Sequence, residues 1–396
     1  MNSPLFSIVI PTKNRPFLLK DTIKSILFQN FENYELIVSD NSTNDETEQL
    51  VSNFLNCKQL KYLHPRVEMN MPTHFEWATK QALGKYVLLF TDRSVLIQGA
   101  LRKLSDLIKN YKDIQVIIYP WLMFDEKRGI FCGSKLPKIK TVFRMSSEII
   151  PSFLKEPENL YNMPRDLNSC YSAEIAKKIR NKFGALFMPI NPDFTFSFLI
   201  LSQVDKVLYI NTPLFISQGL TMSTSNTFNS YLKSLEVSDP FYHVPLKIPL
   251  FMNTVFEDFL RIQELADKNL SSFNINWVVY FNACYRELLY KRQSFNKEEF
   301  YKLLEEFNKA LEKFDKKVQN EVKQEMIREK IPARIKFWIH SHKFGEYIIG
   351  IKRRIDFIKI KGLRKCYKNI LEAASFKSYT KKENKNSKYL CLRNHF

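Results

Sequence analysis

The chain has 396 residues, 45% of them hydrophobic and 26% charged, which is enough apolar material for a full core and excludes a disordered polypeptide. Its 60 Lys and Arg against 41 Asp and Glu give a net charge of +19, and residues 330–396 hold 18 basic and 4 acidic side chains of that total. The basic character therefore belongs to the C-terminal end, and it suits a polyanionic surface such as nucleic acid or an anionic membrane.

No apolar run reaches the roughly eighteen residues of a membrane-spanning helix, so none is expected. The opening Met1-Asn2-Ser3-Pro4-Leu5 lacks the basic-then-apolar plan of a secretory signal. Cysteines at 57, 132, 170, 284, 366 and 391 form no C-x-x-C pair, which predicts reduced thiols, no zinc site and a cytoplasmic setting.

Phe6-Ser7-Ile8-Val9-Ile10-Pro11 predicts a buried first strand stopped by proline. Thr12-Lys13-Asn14-Arg15 is a polar loop, after which Leu18, Leu19, Ile23, Ile26 and Leu27 recur at helical spacing over residues 16–29. Residues 34–39 predict a second strand ending in Asp40-Asn41-Ser42, and Thr43 with Glu46 has the spacing of a capping box opening a helix to about residue 55. A short third strand is predicted at 60–64 and a helix at 72–83, closed by Gly84. The apolar run at 85–91 is a fourth strand, and it delivers Asp92 at its carboxyl end. Four strands alternating with three helices predict an α/β fold built on a mostly parallel, doubly wound sheet. Right-handed crossovers would then bring the 12–15 loop, Asp40 and Asp92 to one rim of it.

Further on, a helix is expected at 100–109 and a strand at 116–121. Prolines recur and periodicity weakens over 124–163, which predicts loops closing over the sheet. A helix at 174–183 is broken by Gly184, and Asp193 follows Asn191-Pro192 at the start of a helix over 194–201. A strand at 207–210 precedes a polar loop at 218–226 suited to ordering by a ligand. Long helical patterns at 251–268 and 298–316 carry many Phe and Tyr residues and no chemical motif. The expected organisation is a catalytic domain at 1–238, a helical region packed on it at 239–330, and a basic amphipathic tail at 331–396 whose end is disordered. Each singled-out acid also has a plain structural use: Asp40 as an Asx turn, Asp92 as a turn or cap residue, and Asp193 as a helix cap.

These stretches together resemble the family 2 glycosyltransferases, which have the GT-A fold. The resemblance rests on Phe6 to Arg15, on Leu36-Ile-Val-Ser-Asp-Asn-Ser-Thr-Asn-Asp45, on Ala82 to Asp92, and on Asn191-Pro192-Asp193, and it covers about residues 5–225. It implies inverting transfer of a sugar from a nucleotide-diphosphate donor to an acceptor hydroxyl, in cell-surface polysaccharide or lipid-linked glycan synthesis. Pro11, Thr12 and Arg15 would line the nucleotide pocket, with Asp40 and Ser42 at the base. Asp92 and Arg93 would face the donor ribose and diphosphate, and Asp193 would be the general base. A carboxylate within reach of the acceptor hydroxyl can take its proton.

The family's second acidic residue is replaced here, since the chain reads Asp92-Arg93-Ser94. Either a divalent cation, Mg or Mn, is held by Asp92 with substrate phosphates and waters, or Arg93 supplies positive charge to the diphosphate. A relative that binds nucleotide sugar without turning it over is the alternative that this departure keeps open. A nucleotidyltransferase would need a glycine-rich phosphate loop, absent from Pro11 to Arg15, and a nucleic-acid binder would carry its charge on a recognisable module. No nucleic acid is therefore expected as a partner. In 331–361, aromatic and aliphatic residues alternate with lysines and arginines, which fits either peripheral attachment to the inner face of a membrane or a solvated basic face packed on the enzyme. His340 and His342 are two apart on a predicted helix and point in different directions, so no metal site is expected there.

Overall fold

The computed structural model describes residues 3–125, 130–132, 141–160, 163–218, 240–266 and 270–341, together with Leu371. Its first half follows the predicted alternation. Strand β1 (Phe6–Thr12) leads through a three-residue loop to helix α1 (Pro16–Leu27), then β2 (Tyr34–Asp40), α2 (Glu46–Ser52), β3 (Leu60–Leu63), α3 (Met71–Lys80) and β4 (Tyr86–Leu89). Strands β1 and β2 are buried along their whole length, which is why they read as continuous apolar runs rather than alternating ones. Both run parallel in register, Phe6 beside Tyr34 and Thr12 beside Asp40, so the two loops that follow start at the same height.

After a short strand β5 (Ser94–Leu96) come α4 (Ala100–Asn110), β6 (Val116–Ile118), β7 (Trp121–Asp125), β8 (Ile130–Cys132), β9 (Val142–Met145) and α5 (Ser146–Lys155). A 3-10 turn at Asp166–Asn168 runs into β10 (Ser169–Ser172), followed by α6 (Ala173–Phe183), α7 (Pro192–Gln203), β11 (Lys206–Tyr209) and β12 (Phe215–Gln218). The main sheet has the order β3-β2-β1-β4-β10-β6-β11-β9, and a smaller sheet has the order β5-β12-β7-β8. Strand β10 lies antiparallel between β4 and β6, and β9 pairs antiparallel with β11, so the parallel half is joined to a mixed half.

Several expectations are revised. Helix α3 ends at Lys80 with Gln81 as its C-cap, not at Gly84. Gly84 instead lies flat on β1, where an added Cβ would meet the Ser7 nitrogen at 2.6 Å. The spacing of Thr43 and Glu46 produces no capping box, because α2 starts only at Glu46 and Asp45 is its N-cap without a side-chain hydrogen bond. The single strand expected at 116–121 is two strands in different sheets, and the stretch expected as closing loops holds β7, β8, β9 and α5. The helix expected over 298–316 divides into α10 (Lys297–Leu311) and α11 (Lys316–Ser341), which follow α8 (Phe251–Leu265) and α9 (Trp277–Tyr290). The polar loop beyond Gln218, the boundary at 238, and the tail from 342 apart from Leu371 lie outside the described residues.

Hydrophobic layers cover both faces of the main sheet. Alternate residues of β1 divide between them: Ile8 and Ile10 pack with α1 and α4, while Val9 faces the layer of α3, α6 and α7. That second layer continues without a break into α8 and α9, through Phe198 and Phe259 at 5.2 Å and Phe256 and Tyr280 at 5.2 Å. The helical C-terminal part thus shares one core with the underside of the sheet, each buried ring contributing about 1.5–3 kcal/mol.

Candidate active site

The carboxyl ends of β1, β2 and β4 form the rim where an open α/β sheet takes its ligand. Asp92 lies just beyond β4 and is fully buried. One of its carboxylate oxygens accepts a hydrogen bond from the Thr12 hydroxyl at 2.8 Å, the other pairs with the Arg15 guanidinium at 2.9 Å, and the Thr22 hydroxyl donates to its backbone carbonyl at 2.9 Å. Burial pushes the Asp92 carboxyl upward, while Arg15, Thr12 and Arg93 pull it back. The carboxylate therefore anchors the loop of residues 12–15.

The neighbouring loop is tied to the first. Asn14, held at a left-handed φ of 54°, donates its backbone N–H to the Ser42 hydroxyl at 2.7 Å, and its side-chain oxygen accepts the Thr43 N–H at 3.0 Å. Asp40 is fully buried at the end of β2. It accepts the Ser42 N–H at 2.9 Å, an Asx turn, and the Tyr62 hydroxyl from β3 at 2.8 Å. The Asn41 side chain exchanges hydrogen bonds with the backbone of Met69 at 2.7 and 3.0 Å. Thr12, Arg15, Asp40, Ser42 and Asp92 are thus brought together as expected, with Pro11 buried on β1 behind them.

Arg93 extends the site toward the smaller sheet. Its guanidinium donates to the Gln218 carbonyl at 3.0 Å, and its own carbonyl accepts the Gln218 N–H at 3.1 Å. Burial and the adjacent Arg15 both disfavour its charge, which Asp92 and Asp193 support. The Arg15 guanidinium is paired with the fully buried Asp92 carboxylate, and that of Arg93 is near enough to influence both electrostatically. Such an arrangement favours a further anion.

Asp193 sits in the first turn of α7, with Asn191 as the N-cap, so it is not itself the capping residue. It keeps part of its surface open although the groups around it are dense. Asp166, on the 3-10 turn, was not among the expected site residues, yet it lies within hydrogen-bonding reach of Asp193 and is fully buried. One Asp166 oxygen accepts the Leu167 N–H at 2.7 Å, and the other receives no N–H or O–H donor among the described residues. Burial and the facing Asp193 push Asp166 well above the ordinary carboxylate range. Asp193 is raised by burial and eased downward by Arg165, Asp166 and Arg93. The pair holds one shared proton more readily than two charges. Arg165, which lies over the Trp121 ring at 4.7 Å, supplies nearby positive charge and was also unforeseen. The only sequence mark of either residue is the ionisable step Arg165-Asp166 ahead of an apolar strand, and such steps are common on surfaces.

A divalent cation would need oxygen ligands at the end of β4. Both Asp92 oxygens already face Thr12 and Arg15, and Ser94, at the position of the missing second acid, is buried in β5 with its hydroxyl 2.6 Å from that of Thr91. Among the described residues no group of three His, Cys, Asp or Glu side chains could hold a metal ion. As arranged, these residues do not fit a cation held by the protein, and they leave Asp92 as the partner of Arg15.

Fold and rim together have the plan of a GT-A domain, a parallel αβ half that ends in the Asp40 and Asp92 loops beside a mixed half that presents Asp193. Comparison with known proteins agrees. Residues 7–131 match the family Glycosyl transferase family 2. The chain is similar to a Campylobacter jejuni GalNAc(5)-diNAcBac-PP-undecaprenol beta-1,3-glucosyltransferase, 35% identical over 26% of this chain and 33% of that protein. It is also similar to an uncharacterized glycosyltransferase of Rickettsia felis, 26% identical over 69% of this chain and 44% of that protein. Among solved structures, S. aureus TarS 1-349 in complex with UDP-GlcNAc superposes with a TM-score of 0.52 at 15% identity, over 84% of this chain and 91% of that one, which shows a shared fold. Residues 7–131 thus match a family 2 glycosyltransferase domain, and the chain shares the GT-A fold of its solved neighbour. It spans between a third and just under half the length of the two curated relatives above.

Proposed function

We propose that the protein transfers a sugar from a nucleoside-diphosphate sugar to an acceptor hydroxyl with inversion, Asp193 serving as general base. The observation that carries this reading is the placement of Arg15 and Arg93 around buried Asp92, with Asp193 electrostatically coupled to Arg93. In such a site the donor's base lies by Asp40 and Ser42 and its diphosphate by the two guanidiniums. The acceptor oxygen attacks the anomeric carbon from the Asp193 side. Asp193 takes the hydroxyl proton as the new C–O bond forms, and the electron pair of the broken bond leaves on the diphosphate, whose charge the arginines offset. A single displacement with one base inverts the anomeric centre. The neighbour solved with UDP-GlcNAc supports a UDP-sugar as the first donor to test, and the relative named as acting on an undecaprenol-linked glycan supports a lipid-linked acceptor at the inner face of a membrane.

The test is thermal-shift screening against nucleoside diphosphates and nucleotide sugars, each with and without Mg or Mn. A matching nucleotide sugar is expected to raise the melting temperature, with little added by the cation, because Ser94 stands where a second metal ligand would be and Arg15 and Arg93 supply positive charge beside Asp92. Asp193→Asn is expected to keep that shift and lower turnover by about 10²–10⁴-fold, the usual worth of a general base. Full stabilisation by donor without any turnover in the wild-type chain would instead indicate a silent nucleotide-sugar binder.

A further inference from the structure

Asp193 owes its place to the loop that precedes α7, and that loop is fastened from outside the nucleotide-binding half. Helix α8 presents Asp258, fully buried, whose two carboxylate oxygens accept the backbone N–H groups of Ile190 at 3.0 Å and Asn191 at 2.9 Å. One turn further along the same helix, the Arg261 guanidinium donates to the Pro189 carbonyl at 2.6 Å. Three consecutive residues of the loop are therefore gripped by side chains of α8. From the other side, Thr195 of α7 exchanges hydrogen bonds between its hydroxyl and the backbone N–H and carbonyl of Met188, each at 3.1 Å. Burial raises the Asp258 carboxyl above its ordinary range, while the Ile190 amide, Arg261 and the Asn191 amide pull it down and favour the carboxylate that both N–H groups bond.

Asn191 is the N-cap of α7, and its carbonyl accepts the Phe194 and Thr195 N–H groups at 3.0 Å each. Whatever fixes Asn191 therefore fixes the direction of the first turn, where Asp193 stands two residues on. A displacement of about 1 Å at a reacting group is enough to cost a large factor in rate. We propose that Asp258 and Arg261 are positioning residues for the catalytic base, so that the helical C-terminal region is part of the catalytic apparatus and more than a support for the core. The inference rests on Asp193 acting as base.

A built-in comparator separates positioning from mere stability. Glu287 of α9 grips two consecutive backbone N–H groups in the same way, those of Phe251 and Met252, at 2.8 Å each. Those residues open the same helix α8, and Glu287 makes no hydrogen bond to the 188–191 loop; the Phe251 ring packs on Phe194 of α7 at 5.5 Å, so Glu287 reaches α7 through packing and not through the backbone of Asn191. An amide in place of either carboxylate keeps one acceptor oxygen and turns an NH₂ group toward the other backbone donor, leaving it unmatched.

The experiment compares Asp258→Asn, Arg261→Lys, Glu287→Gln and Asp193→Asn in the full chain. It measures UDP-sugar affinity by calorimetry, kcat and KM for donor turnover (with water as acceptor where no other is known), and melting temperature. Asp258→Asn is expected to lower kcat by about 10- to 100-fold with donor affinity and KM within twofold of wild type. Arg261→Lys, which keeps the charge and loses the planar fork, is expected to show the same split to a smaller degree. Glu287→Gln is expected to lose a similar amount of thermal stability while keeping kcat. If Asp193→Asn abolishes turnover but Asp258→Asn and Arg261→Lys leave kcat within twofold, the positioning role is wrong and the base assignment stands. Equal kcat losses in Asp258→Asn and Glu287→Gln also overturn positioning, since they trace the effect to helix α8 as a whole. Unimpaired turnover by Asp193→Asn overturns the base assignment and this inference with it.

Discussion

Asp166 brings a second carboxyl to the proposed base, buried beside Asp193 with Arg165, Tyr119 and Tyr171 around it. At neutral pH a proton on Asp166 can be donated toward Asp193, which favours the charged form of the base. Replacing Asp166 by leucine removes that donor and leaves an apolar wall, so both effects raise the Asp193 pKa. The acidic limb of the kcat/KM profile is therefore expected to move to higher pH in Asp166→Leu and to move less in Asp166→Asn, which retains a donor. A shift toward lower pH in the leucine variant would show that Asp166 acts mainly as a second negative charge. Asp40, Asp92 and Asp193 were visible in the sequence because each stands where an apolar run stops or a helix starts. Asp166 was not, because its proximity to Asp193 is made by an antiparallel strand and a 3-10 turn that no periodicity announces. Tyr62 shows the same limit: its contact with Asp40 depends on the register of β3 against β2, with Val38 opposite Tyr62.

The elements easiest to read were those that form by themselves. Long apolar runs gave β1 and β2, and helical spacing with a proline in the first turn gave α1, because burial on both faces or on one stripe leaves its mark in composition. Strands of three or four residues such as β5, β8 and β10 were missed, since so short a strand exists only through its partners. Gly84 was seen but given the wrong reason. It does not end a helix; it lets the segment before β4 lie against the backbone of Phe6 and Ser7, with its N–H donated to the Ser7 hydroxyl at 2.7 Å. Nothing flexible stands in the way of a new methyl there, because two of its three nearest neighbours are backbone atoms of β1. Gly84→Ala is expected to destabilise the fold by about 1–3 kcal/mol, the usual cost of overpacking, measured as a lower urea midpoint at unchanged slope. An unchanged midpoint would mean that β1 and β4 separate at no cost, against the contact described here.

The molecule as a whole has the proposed catalytic rim on one edge and a core that runs from the main sheet into the helices beyond residue 250. Phe194 and Phe198 of α7 pack directly on Phe251 and Phe259 of α8, and the same layer reaches Val322 and Met326 of α11. A chain cut at 238 would expose that whole face, so residues 1–238 are expected to aggregate or stay unfolded, whereas residues 1–330 keep every buried contact named above and should melt within a few degrees of the full chain. The change in composition after residue 238 was legible, and the elements described beyond it are helices that share the core of the sheet. Charge follows a different division, with an excess of 18 basic over 4 acidic residues falling beyond position 329. Among the described residues no helix is long and apolar enough to cross a membrane, and the charge of the segment beyond position 329 would draw it to an anionic lipid surface. Each lysine or arginine at an anionic lipid surface contributes on the order of 1 kcal/mol at low salt, and the attraction decays within a Debye length. The full chain is therefore expected to sediment with phosphatidylserine-containing vesicles, to release as salt rises from 0.05 to about 0.5 M, and to ignore neutral vesicles. The 1–330 form should stay in the supernatant with its donor affinity intact; equal sedimentation by both forms would remove the tail from the membrane and assign the attraction to the catalytic half.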